Sequence, residues 1–119
     1  MPVRGIRGAI TVTGDYPESI LAATTELLQA IMTANPSLTT EEIGCALFTA
    51  TEDLRSEFPA KAARMIGWKY VPLMCMQEIP VPGSLPYCIR VLIYWNTDLQ
   101  QKDINHIFLG DASSLRPDL

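Results

Sequence analysis

The stretch Tyr87-Cys88-Ile89-Arg90-Val91-Leu92-Ile93-Tyr94-Trp95-Asn96-Thr97 decides how this chain is read. Its β-branched and aromatic content predicts the strongest strand in the sequence. Arg90 stands in its middle, flanked by Ile89, Val91 and Leu92. A guanidinium cannot shed its proton, so placing it in such a run demands a carboxylate partner or a polar cavity. Glu78, at the end of its own apolar stretch, is both the candidate partner and a candidate site residue.

Outward from this strand, Val3 to Val12 reads as a second one. Ile6, Ile10 and Val12 fall on one face, and Gly5, Arg7, Ala9 and Thr11 on the other. Arg7 thus projects from a face with small neighbours; taken alone, such an arginine is more often simply solvated. Ile43 to Thr51 does not alternate and predicts a strand buried on both faces. Further strands are expected over Tyr70 to Met76 and around His106 to Leu109, while Pro80 to Ser84 marks a loop. Pro17 suits a first helical turn, and Ile20, Thr24, Leu27, Leu28 and Ile31 follow helical spacing up to Asn35-Pro36. Thr39 and Glu42 have capping-box spacing. Glu57 to Arg64 predicts a short helical or 3₁₀ segment with Lys61 and Arg64 on one face. The order β, α, β, short helix, β, β, β indicates an α+β fold, with one main helix against a mixed or antiparallel sheet.

A length of 119 residues and an apolar fraction of 48% suit one packed domain spanning 1–119. The net charge of −4 and the lack of a Lys/Arg block argue against nucleic-acid binding. Cys45, Cys75 and Cys88 form no CxxC pair, which suits reduced thiols in the cytoplasm. The opening residues lack a signal-peptide pattern, and no run approaches the ~20 apolar residues of a membrane span. His106 is the single histidine, and no metal-ligand spacing, GxGxxG or P-loop is present, so neither metal nor nucleotide cofactor is expected. Cys75 lacks an obvious general base and reads as an inert thiol. Two arginines from different strands, with Lys61, Arg64 and Arg116 elsewhere, suit a pocket for a small anion carrying more than one carboxylate.

Several segments together resemble the AroH class of chorismate mutases. They are Arg4-Gly5-Ile6-Arg7-Gly8-Ala9, Phe58-Pro59-Ala60-Lys61-Ala62 with Arg64, Gly67-Trp68, and Tyr70-Val71-Pro72. Cys75-Met76-Gln77-Glu78, Cys88-Ile89-Arg90-Val91 and Leu115-Arg116-Pro117-Asp118-Leu119 complete the set, in the family's order across nearly the whole chain. The resemblance implies a pseudo-α/β-barrel homotrimer with active sites in the clefts between subunits. It implies a cofactor-free, metal-free rearrangement of chorismate to prephenate in phenylalanine and tyrosine biosynthesis.

By the same resemblance, Arg90 would lie against the ether oxygen of chorismate and its side-chain carboxylate, which Arg7 also binds. Glu78, with Cys75 beside it, would meet the ring hydroxyl and ring edge. Phe58 and Ala60, with Leu73 and Met74, would form an apolar wall from a neighbouring subunit. Lys61, Arg64 and Arg116 would supply positive potential at the cleft mouth, with Leu115 a substrate-binding position beside them. The chain departs from the family at Phe108, where a tyrosine is usual, and at Leu73-Met74, where the pair is usually smaller or polar. Strict strand alternation would separate Cys75 from Glu78, so their meeting requires a bend near residue 77 or contact through the Cys75 backbone. The residues alone leave open another small-molecule reaction in a similar cleft, such as imine hydrolysis, or a carboxylate-binding sensor.

Overall fold

A computed structural model describes residues 1–115. Five strands form one sheet: β1 (Val3–Thr11), β2 (Ile43–Ala50), β3 (Leu73–Gln77), β4 (Cys88–Asn96) and β5 (Ile107–Leu109). The helices are α1 (Pro17–Ala34) and the short α2 (Ala60–Met65), with 3₁₀ turns at Thr40–Glu42, Gln101–Asp103 and Gly110–Ser114. The spatial order β3-β2-β4-β1-β5 puts β4 at the centre. It runs antiparallel to β1 and β2, while β3 pairs parallel with β2 and β5 parallel with β1, so the sheet is mixed.

Alternation along β4 sorts the whole molecule into two faces. Ile89, Val91, Ile93 and Trp95 are buried together with Ile6, Ile10, Ala46 and Phe48 from the flanking strands. Onto this face α1 lays Ile20, Leu27, Leu28 and Ile31, the apolar stripe of its 3.6-residue period. Thr24 sits in that stripe because its hydroxyl donates to the Ile20 carbonyl at 2.7 Å and leaves nothing unpaired. At Gly8 helix and sheet approach closely. A Cβ there would fall 2.8 Å from Ile31 Cδ1 and 3.1 Å from Val91 Cγ1. The helix ends before Pro36, and Asn35 ties that end to the approach to β5 by donating to the carbonyls of Ile31 and Asn105.

The opposite face carries Arg7, Ala9, Cys45, Leu47, Thr49, Arg90, Leu92 and Tyr94. No helix covers it. Only its far end is roofed, where the Gly110–Ser114 turn folds back and forms a small second core of Ala9, Cys88 and Ala112 with Leu85, Phe108 and Leu115. This corrects the expectation for β2. Ala46 and Phe48 are buried, but Cys45, Leu47 and Thr49 are only half-buried, because one apolar face of that strand meets no layer of its own chain.

Other boundaries also differ. The third strand begins at Leu73, not Tyr70: pairing with β2 starts at Ala46–Leu73, and Tyr70 stands exposed beyond the Gly67 turn. The segment after Glu57 turns helical only from Ala60. The Thr39 hydroxyl does not cap a helix. It donates to the Glu42 carboxylate at 2.9 Å, and the turn closes instead through the Glu42 N–H and the Thr39 carbonyl. Among the described residues, no helix is long and apolar enough to cross a membrane.

Close packing at Gly8 makes a sharp prediction. Gly8→Val should overpack the α1–sheet interface and lower the unfolding free energy by about 1–3 kcal/mol. A urea denaturation curve reads this directly; an unchanged midpoint would contradict the packing described.

Candidate active site

Three strands and one strand end converge on the open face. Arg7 comes from β1, Thr49 from β2, Arg90 from β4, and Glu78 from just beyond β3. In the ladder Arg90 lies opposite both Ala9 and Thr49, and Arg7 lies opposite Leu92. The Glu78 N–H donates to the Ala50 carbonyl at 2.9 Å, extending the β2–β3 pairing one residue past Gln77. Alternation therefore continues unbroken, with Met74, Met76 and Glu78 on the open face.

Arg90 Nη1 meets Glu78 Oε1 at 2.9 Å, the two side chains being 21% and 26% exposed. Thr49 Oγ1 donates to the same Oε1 at 2.9 Å. Burial pushes the Glu78 carboxyl up, but the Thr49 hydroxyl, the charge and hydrogen bond of Arg90, and the Ile79 N–H together outweigh it. The net result is a carboxyl held below its ordinary 4.5, so Glu78 is ionised at neutral pH. Near Arg90, burial pushes the Cys88 thiol up against the charge and hydrogen bond of the guanidinium, so it stays neutral.

The positive charge on this face is not fully spent. Arg90 Nε is buried and has no hydrogen-bond partner among the described residues. The ion pairs among those residues are Arg90–Glu78 and Lys61–Glu57, so Arg7 adds an unpaired guanidinium to the face. Its backbone is fixed by an N–H bond to His106 Nδ1 at 2.9 Å. A cavity of about 390 Å³ opens between Arg7, Leu47, Thr49, Glu78, Arg90 and Leu92. A half-buried cleft with two cations, one anion and apolar walls suits a compact organic anion.

A second group gathers around α2 and the other side of β3. Phe58, 67% exposed, projects just ahead of the helix. Lys61 and Arg64 are exposed on α2, with Lys61 Nζ 3.4 Å from Glu57. Burial pushes the Cys75 thiol up, against the opposing Ala60 N–H and Arg64 charge. A cavity of about 500 Å³ lies between Arg55, Glu57, Phe58, Pro59, Cys75 and Gln77. Its loop is pinned by Asp15, whose carboxylate accepts the Arg55 N–H at 2.8 Å and the Ser56 N–H at 2.9 Å. Met76 borders both cavities, so the edge strand β3 divides them.

The structure thus brings together Arg7, Glu78 and Arg90 and separates the rest. Cys75 does not stand beside Glu78: the strand runs straight, and the thiol packs toward the helix-side core. Leu73 follows it into that core, whereas Met74 is 57% exposed on the open face. The Ala60 methyl is buried in the main core, so only its backbone borders the neighbouring space. Phe108 and Leu115 pack into the small second core, Phe108 directly opposite Ala9. Arg116 lies outside the described residues. Thr49 escaped the sequence reading; its signal is a lone hydroxyl in the apolar run from Ile43 to Ala50.

The lowered Glu78 carboxyl sets a pH dependence. Its stabilising contribution is complete above the unfolded value of 4.5 and is lost as pH falls through the lower folded value. The stability difference between wild type and Glu78→Gln should therefore be constant at neutral pH and shrink below pH 4.5. Denaturant melts across pH check this; a difference that grew on acidification would refute the assignment.

Comparison with known proteins supplies the context for this geometry. The family model described as chorismate mutase type I matches residues 3–119. A chorismate mutase AroH from Thermus thermophilus is 56% identical over 117 residues, covering 98% of this chain and 96% of that protein. A chorismate mutase AroH from Bacillus subtilis is 48% identical over 120 residues, covering 100% and 94%. The solved chorismate mutase from Clostridium thermocellum superposes with a TM-score of 0.90 at 46% identity, over 92% of this chain and 97% of that one. The family match and near-complete alignment agree: this chain belongs to the type I, AroH-class chorismate mutase family.

Proposed function

We propose that the chain is a cofactor-free chorismate mutase, an isomerase that rearranges chorismate to prephenate on the open face of the sheet. The observation that carries the site assignment is Arg90, whose buried Nε has no partner among the described residues while Nη1 is held by Glu78. The reaction is a [3,3] rearrangement in which an ether C–O bond breaks as a C–C bond forms. It calls for no nucleophile and no proton transfer. Two contributions remain for the protein: holding the flexible dianion in its compact conformer, and placing fixed positive charge where the ether oxygen gains negative charge.

The free edge of the Arg90 guanidinium would meet that oxygen and the side-chain carboxylate, with Arg7 on the same carboxylate. Ionised Glu78 would accept the ring hydroxyl. Phe108 would keep the aromatic wall without the hydrogen bond that a tyrosine hydroxyl adds. Phe58, Lys61 and Arg64 lie beyond β3 and Cys75 turns toward the helix-side core, away from Arg90, so one chain does not present both groups to one ligand. A neighbouring copy supplies the second group in the homotrimer we propose, with Met74 and the backbone at Ala60 and Leu73 as wall. The open apolar face favours this assembly, since Met74, Met76 and Tyr94 are all exposed on it. Three free cysteines suit a cytoplasmic setting.

Loss of chorismate ultraviolet absorbance, measured beside the native mass, tests activity and assembly together. Arg90→Ala should cut kcat/KM by about 10²–10³, and Arg90→Lys should recover only part, because an ammonium lacks the planar fork. Near-normal kcat/KM in Arg90→Ala would overturn the assignment. Phe108→Tyr should lower KM by roughly 2- to 10-fold with little change in kcat, the value of one added hydrogen bond; an unchanged KM would place that ring away from the substrate.

A further inference from the structure

We propose that Thr49 is a positioning residue of this site: its hydroxyl holds the Glu78 carboxylate beside Arg90 and keeps the guanidinium free for substrate. Thr49 is the cross-strand neighbour of Arg90 on β4 and of Met76 on β3. Its surroundings on that face, Leu47, Met76 and Leu92, are apolar, and a strand there has no packing need for a hydroxyl. The hydroxyl donates to Glu78 Oε1 at 2.9 Å.

The geometry shows what the contact does. Glu78 follows an edge strand, so its side chain is anchored from one side of the sheet only. Arg90 meets it through Nη1, also on Oε1. Apart from Arg90, the Ile79 N–H also bonds the carboxylate, but from its own chain segment and not from a neighbouring strand. Left to itself, a guanidinium–carboxylate pair tends toward the bidentate arrangement, which would occupy a whole edge of Arg90. A further donor from β2, on a β-branched side chain with a stiff χ1, fixes Oε1 between two strands. Two effects follow. Oε2 becomes the oxygen turned to a ligand hydroxyl, and Arg90 Nε stays unpartnered, as observed. Thr49 touches neither reacting bond and acts only through Glu78 and Arg90.

The kinetic half of this inference rests on the proposed chorismate mutase activity, so the test includes a measurement that does not. Wild type, Thr49→Val, Thr49→Ser and Thr49→Ala are compared, with folding checked by circular dichroism and native mass. Glu78 is titrated by ¹³C NMR on carboxyl-labelled protein, its resonance assigned with Glu78→Gln. In parallel, the pH profile of kcat/KM is measured with chorismate. Thr49→Val and Thr49→Ala should move the Glu78 midpoint and the acidic limb of kcat/KM upward together. They should also lower kcat about tenfold with a smaller change in KM, the size of one hydrogen bond to a charged group. Thr49→Ser should recover most of both effects. A Glu78 midpoint unmoved in Thr49→Val and Thr49→Ala, or no recovery with serine, would overturn the proposal. A shifted Glu78 midpoint in a protein whose wild type does not turn over chorismate would overturn the activity instead and leave the hold of Thr49 on Glu78 standing.

Discussion

Arg90 and Glu78 meet at 2.9 Å on a sheet face that the described residues roof at one end only. A charge placed in the middle of an apolar strand loses hydration that a single partner does not fully replace. Ion pairs of this kind are weak sources of stability, and apolar residues of similar size often do better. Stability therefore gives no reason for this pair. It is incompletely satisfied, with Arg90 Nε buried and unpartnered among the described residues, which fits the anion site proposed above.

The pair also ties the fold to the site. Alternation along β4 sends Ile89, Val91, Ile93 and Trp95 under α1 and leaves Arg90 and Leu92 on the other side. A slip of one residue would drive a guanidinium under the helix and expose four large apolar side chains, so the register is strongly specified. Gly8 reinforces it from β1, since a Cβ at that position would crowd the Ile31, Val91 and Leu27 side chains. The contacts that stabilise the helix-side core thus also aim Arg7 and Arg90 at one cavity.

This division explains what was legible in the sequence. The long period-matched segments, β1, α1 and β4, stand out because each buries one continuous face against a partner. Arg90 stood out because a charge contradicts its surroundings, and Glu78 was identifiable as its partner for the same reason. What a linear pattern does not carry is which strand lies at an edge and which face a helix covers. Hence β2 looked buried on both sides, although its second face is open, and the third strand looked longer than its pairing with Ala46 allows. Cys75 is a different case. Plain alternation already placed it opposite Glu78, and the structure follows alternation; the family resemblance had pulled the two residues together. Thr49 was hidden because threonine is an ordinary strand residue, and only its place between Arg90 and Glu78 gives its hydroxyl a meaning.

The separation of the two cationic groups by β3 links the proposed assembly to the proposed chemistry. Arg7 and Arg90 face one cavity, while Lys61 and Arg64 belong to the other side of that strand. A rearrangement without acid, base or nucleophile depends on charge already in place, and fixed charge acts far more strongly once water is excluded. An isolated chain leaves Met74 and Met76 exposed and the cleft between them and Arg90 wet. In the proposed trimer a neighbour's α2 end would cover that face, add its two cations and remove the water in one step. Burial of the apolar edge would then supply both the free energy of association and the low-dielectric setting in which Arg90 acts. On this view the open face is not an unfinished core but half of a site that only a second chain completes.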